Sequence, residues 1–140
     1  MKYKLTKGLE NNPSALDIRK RVFVDEQGFN DEFDDIDAIA YHVVLFVKNR
    51  YAATGRLYGG ENGAMHIGRV AVLREFRGMS LGSLVIAVLE KKAIDSGFDK
   101  VELSAQVRVM EFYKKLGYIA VGEEYMDEDC PHIKMVKKLI

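Results

Sequence analysis

Residues 69–90 read RVAVLREFRGMSLGSLVIAVLE and connect a predicted strand to a predicted helix through a short turn. The strand begins earlier and covers residues 65–73, and Gly68 inside it indicates a bulge or a close backbone approach. The helix is predicted from apolar residues at i, i+3, i+4, i+7 and i+8, with Gly97 where a C-terminal cap belongs. These residues are Leu81, Leu84, Val85, Val88 and Leu89. A strand followed by such a helix predicts one crossover connection.

Hairpins surround this crossover in the rest of the chain. The predicted order is β-α-β-β-β-α-β-α-β-β, which indicates an α/β fold with a mixed, mostly antiparallel sheet and helices on both faces. The acidic residues 31–37 and the glycine-rich residues 59–63 are expected to be loops, the first with a frayed turn. The remaining strands are predicted at residues 3–5, 41–47, 51–58, 101–107, 118–121 and 132–139, and the remaining helices at residues 13–25 and 109–116.

The composition excludes several classes of protein. The chain has 140 residues, with 21 Lys and Arg against 21 Asp and Glu. It therefore lacks the excess of basic residues by which a protein binds nucleic acid without sequence preference or binds an anionic membrane. This length predicts a single domain over residues 1–140. Cys130 is the only cysteine and no apolar run approaches the length of a membrane span, so we expect a cytoplasmic protein without an intramolecular disulfide.

The turn at residues 74–83 is the most informative segment for chemistry. A helix that begins there leaves backbone N–H groups unpaired at the positive end of its dipole, a site that suits phosphate. Gly78 and Gly82 would let the backbone approach an anion closely, and the arginines of residues 66–83 outnumber the one acid, Glu75. On these residues alone a plain turn between a strand and a helix is an equal alternative, because neither a Walker A nor a G-x-G-x-x-G pattern is present.

The same run resembles the coenzyme A signature of the GNAT N-acetyltransferases, Gln/Arg-x-x-Gly-x-Gly/Ala. The pattern matches at Arg77 and Gly82, with Ser80 in place of the first glycine. A second match, EFYKKLGY at residues 111–118, resembles the Phe-Tyr-x-x-x-Gly-Phe/Tyr segment of this family. The predicted order of strands and helices also agrees with the family, so the resemblance covers essentially the whole chain.

Three further segments resemble the small bacterial ElaA-like and YjcF-like branch. They are RKRVFVDEQG at residues 19–28, LSAQ at 103–106 and Cys-Pro-His at 130–132. The resemblance implies acetyl-CoA as cosubstrate, with the strand ending at Val72 splayed from its neighbour and the diphosphate on the N–H groups of the turn. The implied coenzyme-binding residues are Val70, Ala71, Val72, Arg77, Gly78, Met79, Ser80, Leu81, Gly82, Ser83, Gln106 and Tyr113.

The resemblance also implies a catalytic set. The Val72 N–H would stabilise the developing oxyanion, and the Tyr113 phenol would protonate the departing thiolate. Tyr113 also belongs to an apolar helical stripe and could simply pack there. Glu26 and His132 are candidates for the base that deprotonates an amine, while His42 is expected to be structural. No metal is expected, because the histidines and Cys130 show no zinc spacing.

Two acidic groups would flank the acceptor site in such a fold and would attract a cationic amine, small or peptidic. Solvated loops are the simpler interpretation, particularly for the second group. The first group is Asp25, Glu26, Asp31, Glu32, Asp34, Asp35 and Asp37, and the second is Glu123, Glu124, Asp127, Glu128 and Asp129. The alternatives to an N-acetyltransferase are a non-catalytic acyl-CoA binding module and a nucleotide phosphate binder. Small domains of this family often pair, so the resemblance is also compatible with a homodimer.

Overall fold

Seven strands form one mixed sheet in the computed structural model, which describes residues 2–30, 32–59 and 63–140. The strand order is β1-β2-β3-β4-β5-β7-β6, and all neighbours are antiparallel except β4 and β5. The strands are β1 (Lys2–Lys7), β2 (Tyr41–Val47), β3 (Arg50–Gly59), β4 (Met65–Val72), β5 (Lys100–Gln106), β6 (Ile119–Asp127) and β7 (Cys130–Lys138). The helices are α1 (Pro13–Arg19), α2 (Leu81–Asp95) and α3 (Met110–Lys115). The predicted order and the single parallel crossover are confirmed.

The first helix departs from the regular form that its sequence predicts. It is α-helical only to Arg19 and continues as a π-helical segment, Lys20–Glu26, in which the Gln27 N–H donates to the Val22 carbonyl at 3.1 Å. An α-helical bond from Gln27 would go to Phe23, so the last turns are wider by one residue. This widening rotates Glu26 and Gln27 relative to a regular helix.

The loop predictions are confirmed in part. The acidic segment contains a short 3-10 helix, Asp35–Ala38, with a capping box between Asp34 and Asp37. Asp31 and residues 60–62 of the predicted glycine-rich loop lie outside the described residues. No helix in the described parts of the chain is both long and apolar enough to cross a membrane.

The helices pack on both faces of the sheet, as the sequence predicts. Adjacent residues of a strand point to opposite faces. On β3 the side chain of Arg56 reaches the same carboxylate as Arg19 of α1, whereas Gly55 faces Val85 and Leu89 of α2. A Cβ atom at Gly55 would lie 2.5 Å from Val85 Cγ1, so α2 lies directly on the backbone of β3. The core forms between these layers.

The strand β4 carries the bulge that Gly68 indicates. Thr54 of β3 lies opposite Ala71 of β4, and Arg56 of β3 lies opposite Gly68 of β4. The same stretch of sheet thus spans two residue steps on β3 and three on β4. One extra residue is therefore inserted in β4, and Arg69 there has a left-handed backbone with φ 52°. The bulge bends β4 at the point where it leaves β5.

Candidate active site

A cavity of about 360 Å³ opens where β4 and β5 separate. The two strands pair only from Met65 to Ile67 with Val101 to Leu103, and beyond these residues they diverge. Residues 67–70 of β4 line one side of the cavity and residues 103–106 of β5 line the other. The splayed strands that the resemblance implies are therefore present.

The orientation of β4 at its end determines which backbone groups face this cleft. The Leu73 N–H donates to the Ala52 carbonyl of the neighbouring chain segment at 2.8 Å, so it points towards β3. Because the direction alternates along a strand, the N–H and C=O groups of Val72 point to the cleft side and those of Ala71 point to β3. The Val72 carbonyl accepts a bond from Arg77 Nε at 3.0 Å, in agreement with this direction. Ala71 is itself buried and lies opposite Thr54 of β3, so this geometry does not favour the implied contact of its backbone with a coenzyme.

The turn before α2 presents its backbone to the outside. Gly78 has φ 84° with no atom within 4 Å of a built Cβ, and Ser80, the N-cap residue, has φ 60°. No side chain caps the 15-residue helix, so its first N–H groups keep their capacity to bind an anion. Residues 77–80 are exposed, Leu81 is buried, and Gly82 and Ser83 are half-buried. Ser80 adopts the left-handed conformation more often found at glycine.

Gly82 has a packing role that its motif does not indicate. A Cβ atom there would lie 3.2 Å from Cζ of Phe112, which belongs to α3. The missing side chain therefore lets α3 approach the start of α2. Tyr113, the next residue of α3, forms an edge contact with the Phe112 ring and lines the cavity. The two family motifs thus contact each other, although about 30 residues separate them.

Tyr113 is half-buried and its ring packs edge-on against Tyr118. Burial raises the pKa of Tyr113 to about 12, so the phenol keeps its proton at physiological pH. Its hydroxyl has no hydrogen-bond partner among the described residues. Tyr118 differs, because its hydroxyl donates to Glu90 at 2.7 Å. A protonated hydroxyl that no protein atom satisfies is suited to donate a proton in the cavity.

His132 lies in the same cavity, opposite Gln106 in the pairing of β5 with β7. Its Nδ1 atom is 2.8 Å from the Cys130 carbonyl oxygen, and its ring stacks on Tyr125 with centroids 6.0 Å apart. The Tyr125 hydroxyl contacts Ser104, which also lines the cavity. Sequence reasoning did not single out Ser104 or Tyr125. Ser104 lies in the LSAQ segment, but only strand pairing brings it and Tyr125 close to the histidine.

Glu26 does not line this cavity, and its carboxylate is paired with an arginine. Its two carboxylate oxygens accept bonds from Arg77 at 2.8 and 2.9 Å. The hydrogen bond from Arg77 lowers the pKa of Glu26, followed by the charges of Arg77 and Arg74. A carboxylate held in this way is a weak base, so this geometry does not favour Glu26 as the group that deprotonates the acceptor.

Gln106 bridges the cavity at its α1 end. Its Nε2 atom donates to Gln27 Oε1 at 3.0 Å, and its Oε1 atom accepts from Arg108 Nε at 2.8 Å. All three side chains line the cavity. Because amides can donate and accept, this short chain has groups that suit a ligand amide in the cleft.

The first acidic group is largely neutralised by arginines from other elements. Asp37 accepts bonds from Arg19 at 2.7 Å and from Arg56 at 2.9 Å, and all three side chains are buried. Burial alone would raise the pKa of Asp37, but the hydrogen bonds and charges of the two arginines outweigh it and hold the pKa at about 2. The expected acidic loop is therefore in part the centre of a buried ion cluster.

The cluster continues to the cavity wall. Glu32 lies 2.8 Å from Arg19 and 3.1 Å from Arg69, the bulge residue, and Asp34 lies 2.8 Å from Arg56. Both Glu32 and Arg69 line the cavity. The charges of Glu32, Asp34 and Asp37 are compensated at contact distance, so these three residues do not favour the attraction of a cationic amine. Sequence reasoning missed these pairs because the arginines come from α1, β3 and β4.

The second acidic group remains exposed on β6 and the following hairpin. Asp127 and Glu128 line the cavity, and Glu128 accepts a bond from the Asn30 N–H at 2.6 Å. No ion pair involves these two carboxylates among the described residues. They are the acidic side chains of the cavity that carry an uncompensated charge.

The remaining candidates occupy structural positions. His42 is buried, its Nε2 atom is 3.0 Å from the Asp37 carbonyl, and burial lowers its pKa, in agreement with the predicted structural role. His66 lies 3.6 Å from Glu102, and burial lowers its pKa as well. No group of three or more potential metal ligands occurs in the described part of the chain.

Comparisons with known proteins agree with this architecture. A model of the acetyltransferase (GNAT) domain matches residues 11–139. The N-acetyltransferase YjcF of Bacillus subtilis, itself uncharacterised, is 32% identical over 140 residues, 98% of this chain and 99% of YjcF. The protein ElaA of Escherichia coli is 30% identical over 91% of this chain and 87% of its own.

Two crystal structures share the fold along nearly its full length. That of Escherichia coli ElaA superposes with a TM-score of 0.86 and 26% identity, over 99% of this chain and 100% of ElaA. That of an acyl-CoA N-acyltransferase from Pseudomonas aeruginosa has a TM-score of 0.86 and 28% identity, over 97% of this chain and 98% of its own. The likeness therefore includes both strands of the cleft and the turn before α2.

Proposed function

This chain belongs to the GNAT acetyltransferase family, and on that premise we propose that it transfers an acetyl group from acetyl-CoA to a primary amine by direct attack, without a covalent enzyme intermediate. One observation carries the proposal. Near the point where β4 leaves β5, a protonated phenol (Tyr113) and an imidazole (His132) line the cavity, and the N–H group of Val72 points away from β3, towards the side of β5. These groups are the three that acyl transfer to an amine requires.

The residues of the cleft and the turn fit the coenzyme. The exposed N–H groups that begin α2, with Arg77 beside them, suit its diphosphate, and the open edge of β4 at Val72 suits the amides of its pantetheine arm. Gln106, with one donor and one acceptor on the opposite strand, complements the same arm. Bound there, acetyl-CoA supplies an activated acetyl group as a thioester.

His132 is the base that we assign. Because a carbonyl oxygen cannot donate, Nδ1 must carry the proton that bonds to Cys130, and the neutral ring then has its lone pair on Nε2. Nε2 can accept the proton of an ammonium acceptor, directly or through water. The Val72 N–H then donates to the oxygen on which negative charge develops, and Tyr113 donates its proton to the departing thiolate.

We assign a cationic amine as the acceptor. Support comes from Asp127 and Glu128, which line the cavity beside His132 and whose negative charge no ion pair offsets in the described residues. The apolar rings of Phe23 and Phe29 line the cavity as well. An amine with an apolar body and a positive head group would complement both surfaces.

The test combines a binding and a turnover measurement. Calorimetry with acetyl-CoA is expected to give saturable binding, and a thiol-release assay over a panel of amines is expected to show turnover with at least one. Failure to bind at high micromolar acetyl-CoA would overturn the proposal. Binding without thiol release for any amine would favour the non-catalytic acyl-CoA binding module, and protection against heat by ATP alone would favour a nucleotide binder.

A further inference from the structure

All three nitrogen atoms of the Arg77 guanidinium donate a hydrogen bond to the protein. Nη1 and Nη2 donate to the two oxygens of Glu26 at 2.8 and 2.9 Å, and Nε donates to the Val72 carbonyl at 3.0 Å. Glu26 ends the π-helical segment, 51 residues away along the chain. The cation beside the coenzyme turn is thus paired with an acid from another element.

We propose that Glu26 is a built-in counter-anion, which competes with the coenzyme diphosphate for Arg77 and thereby sets the coenzyme affinity of this protein. The inference rests on the proposed function, since it assumes that the turn binds coenzyme A. Carboxylate and phosphate oxygens accept the same pair of parallel bonds from a guanidinium. The two Nη donors therefore serve either anion, but not both with the same geometry.

Several arginines surround the carboxylate of Glu26. Arg74 Nη2 lies 3.9 Å from its carboxylate, and the charge of Arg108 also acts on it. The hydrogen bond from Arg77 lowers the pKa of Glu26, so the carboxylate is ionised at neutral pH. An anion that replaced Glu26 would meet the same convergent arginines.

The exchange is feasible because the pair is partly exposed. The side chain of Arg77 is 41% exposed and that of Glu26 is 26% exposed, so neither is locked in the core. A partly exposed ion pair contributes roughly 0.2–1 kcal/mol to stability, and a competition of this size corresponds to a change of about 1.4- to 5-fold in the affinity for the coenzyme. The competition is therefore a modest effect that a calorimeter resolves.

The bond from Arg77 Nε to Val72 lies outside this competition. It holds the carbonyl of the peptide whose N–H side donates to Ala52, so the end of β4 stays in place when the Nη atoms change partner. Removing the carboxylate of Glu26 should therefore change the affinity for the coenzyme and leave the turnover number nearly unchanged. A change of affinity without a change of turnover distinguishes a residue that competes with the coenzyme from one that supports the structure of the cleft.

The experiment measures the dissociation constant of coenzyme A by calorimetry for the wild type and four variants. They are Glu26→Gln, Arg77→Gln, the double variant, and Glu75→Gln as the matched control. Glu75 is an exposed acid at the other side of the turn that pairs with Arg21 and Arg50 instead of Arg77. Thermal melting confirms that each variant is folded.

We expect Glu26→Gln to bind coenzyme A about two- to fivefold more tightly, Arg77→Gln to bind it more weakly, and Glu75→Gln to match the wild type. In the Arg77→Gln background, Glu26→Gln should have no further effect, because its partner is gone. Unchanged or weaker binding by Glu26→Gln overturns the inference, as does equal tightening in both backgrounds. If the wild type itself binds no coenzyme A, the proposed function has failed; if it binds and Glu26→Gln does not tighten, only this inference has failed.

Discussion

The Nδ1 atom of His132 lies 2.8 Å from the carbonyl oxygen of Cys130, so a main-chain group fixes which nitrogen of the ring carries the proton. The stacked Tyr125 ring holds the imidazole from one side. The sequence places Cys130 and His132 two residues apart, but their relationship is through the backbone and does not involve the thiol. This contact orients the imidazole ring.

Replacing His132 is expected to remove the proposed base. His132→Gln should lower turnover by about 100-fold or more, since a positioned base contributes about 10²–10⁴-fold. Cys130→Ala keeps the carbonyl and should retain the turnover of the wild type. The thiol-release assay checks both variants, and wild-type turnover in His132→Gln would show that another group is the base.

Replacing Tyr113 tests the acid. Tyr113→Phe should reduce turnover by about 100-fold while the calorimetric affinity for acetyl-CoA stays within twofold, because the ring still packs on Phe112. Since burial raises the pKa of Tyr113 to about 12, the wild type should show no loss of activity from phenol ionisation below about pH 11.

Tyr118→Phe is the matched control for this variant. Its hydroxyl bonds to Glu90 outside the cavity, so its loss should lower the free energy of unfolding by about 1 kcal/mol and leave turnover intact. Equal turnover in Tyr113→Phe and Tyr118→Phe would return Tyr113 to a packing role.

The buried ion cluster predicts a specific acid sensitivity. The pKa of Asp37 is about 2 in the folded protein against an ordinary value of 3.8, so the folded state favours the ionised form. The stabilisation, about 2 kcal/mol, is present above pH 4 and is lost as the pH falls towards 2. Glu32 acts in the opposite sense, because burial raises its pKa.

Asp37→Asn should therefore destabilise the protein by about 2 kcal/mol at pH 7, since it removes the carboxylate that Arg19 and Arg56 share and leaves them only Glu32 and Asp34. It should also flatten the pH dependence of stability between 4 and 2. The neighbouring Asp35→Asn, which breaks no ion pair, should behave as the wild type. Urea unfolding at several pH values measures both, and a loss below 1 kcal/mol for Asp37→Asn would contradict the assignment.

The close contact of α2 with β3 predicts how much stability is lost when one methyl group is added at Gly55. Gly55→Ala would place Cβ 2.5 Å from Val85 Cγ1 and 3.0 Å from Leu89 Cδ1, both in the buried core. The resulting overpacking should lower the free energy of unfolding by about 1–3 kcal/mol. Gly68→Ala, in the neighbouring strand, meets no atom closer than 3.8 Å and should cost less. Equal losses in urea unfolding would mean that close packing is not the cause.

The order of elements was predictable because it depends on local patterns. The spacing of apolar residues in α2 and the glycines at its ends, such as Gly97, are properties of neighbouring residues. The bulge at Gly68 was predictable for the same reason. The π-helical end of α1 was not, because a wider turn has no distinct apolar period. The positions of Glu26 and Gln27 therefore had to come from the structure.

The two halves of the candidate site were predictable to different degrees. The turn before α2 and the residues around Tyr113 belong to motifs; Tyr113 lines the cavity, and the turn contacts α3 where Gly82 meets Phe112. The choice between Glu26 and His132 as the base was open, because the partner of each side chain lies far away or in the backbone. The ion pair of Glu26 with Arg77 and the bond of His132 to the Cys130 carbonyl, on which our assignment of the base depends, are visible only in the structure.

The charged residues show most clearly what the amino-acid sequence determines and what the tertiary structure determines. The amino-acid sequence by itself established a balanced total, a basic turn and two acidic segments, since these depend only on which residues are neighbours. Only the tertiary structure decided which charges remain uncompensated. It brings Arg19, Arg56 and Arg69 onto the first acidic segment and leaves Asp127 and Glu128 at the cavity. Charges interact through space, at distances that folding sets and that their separation along the chain does not reveal.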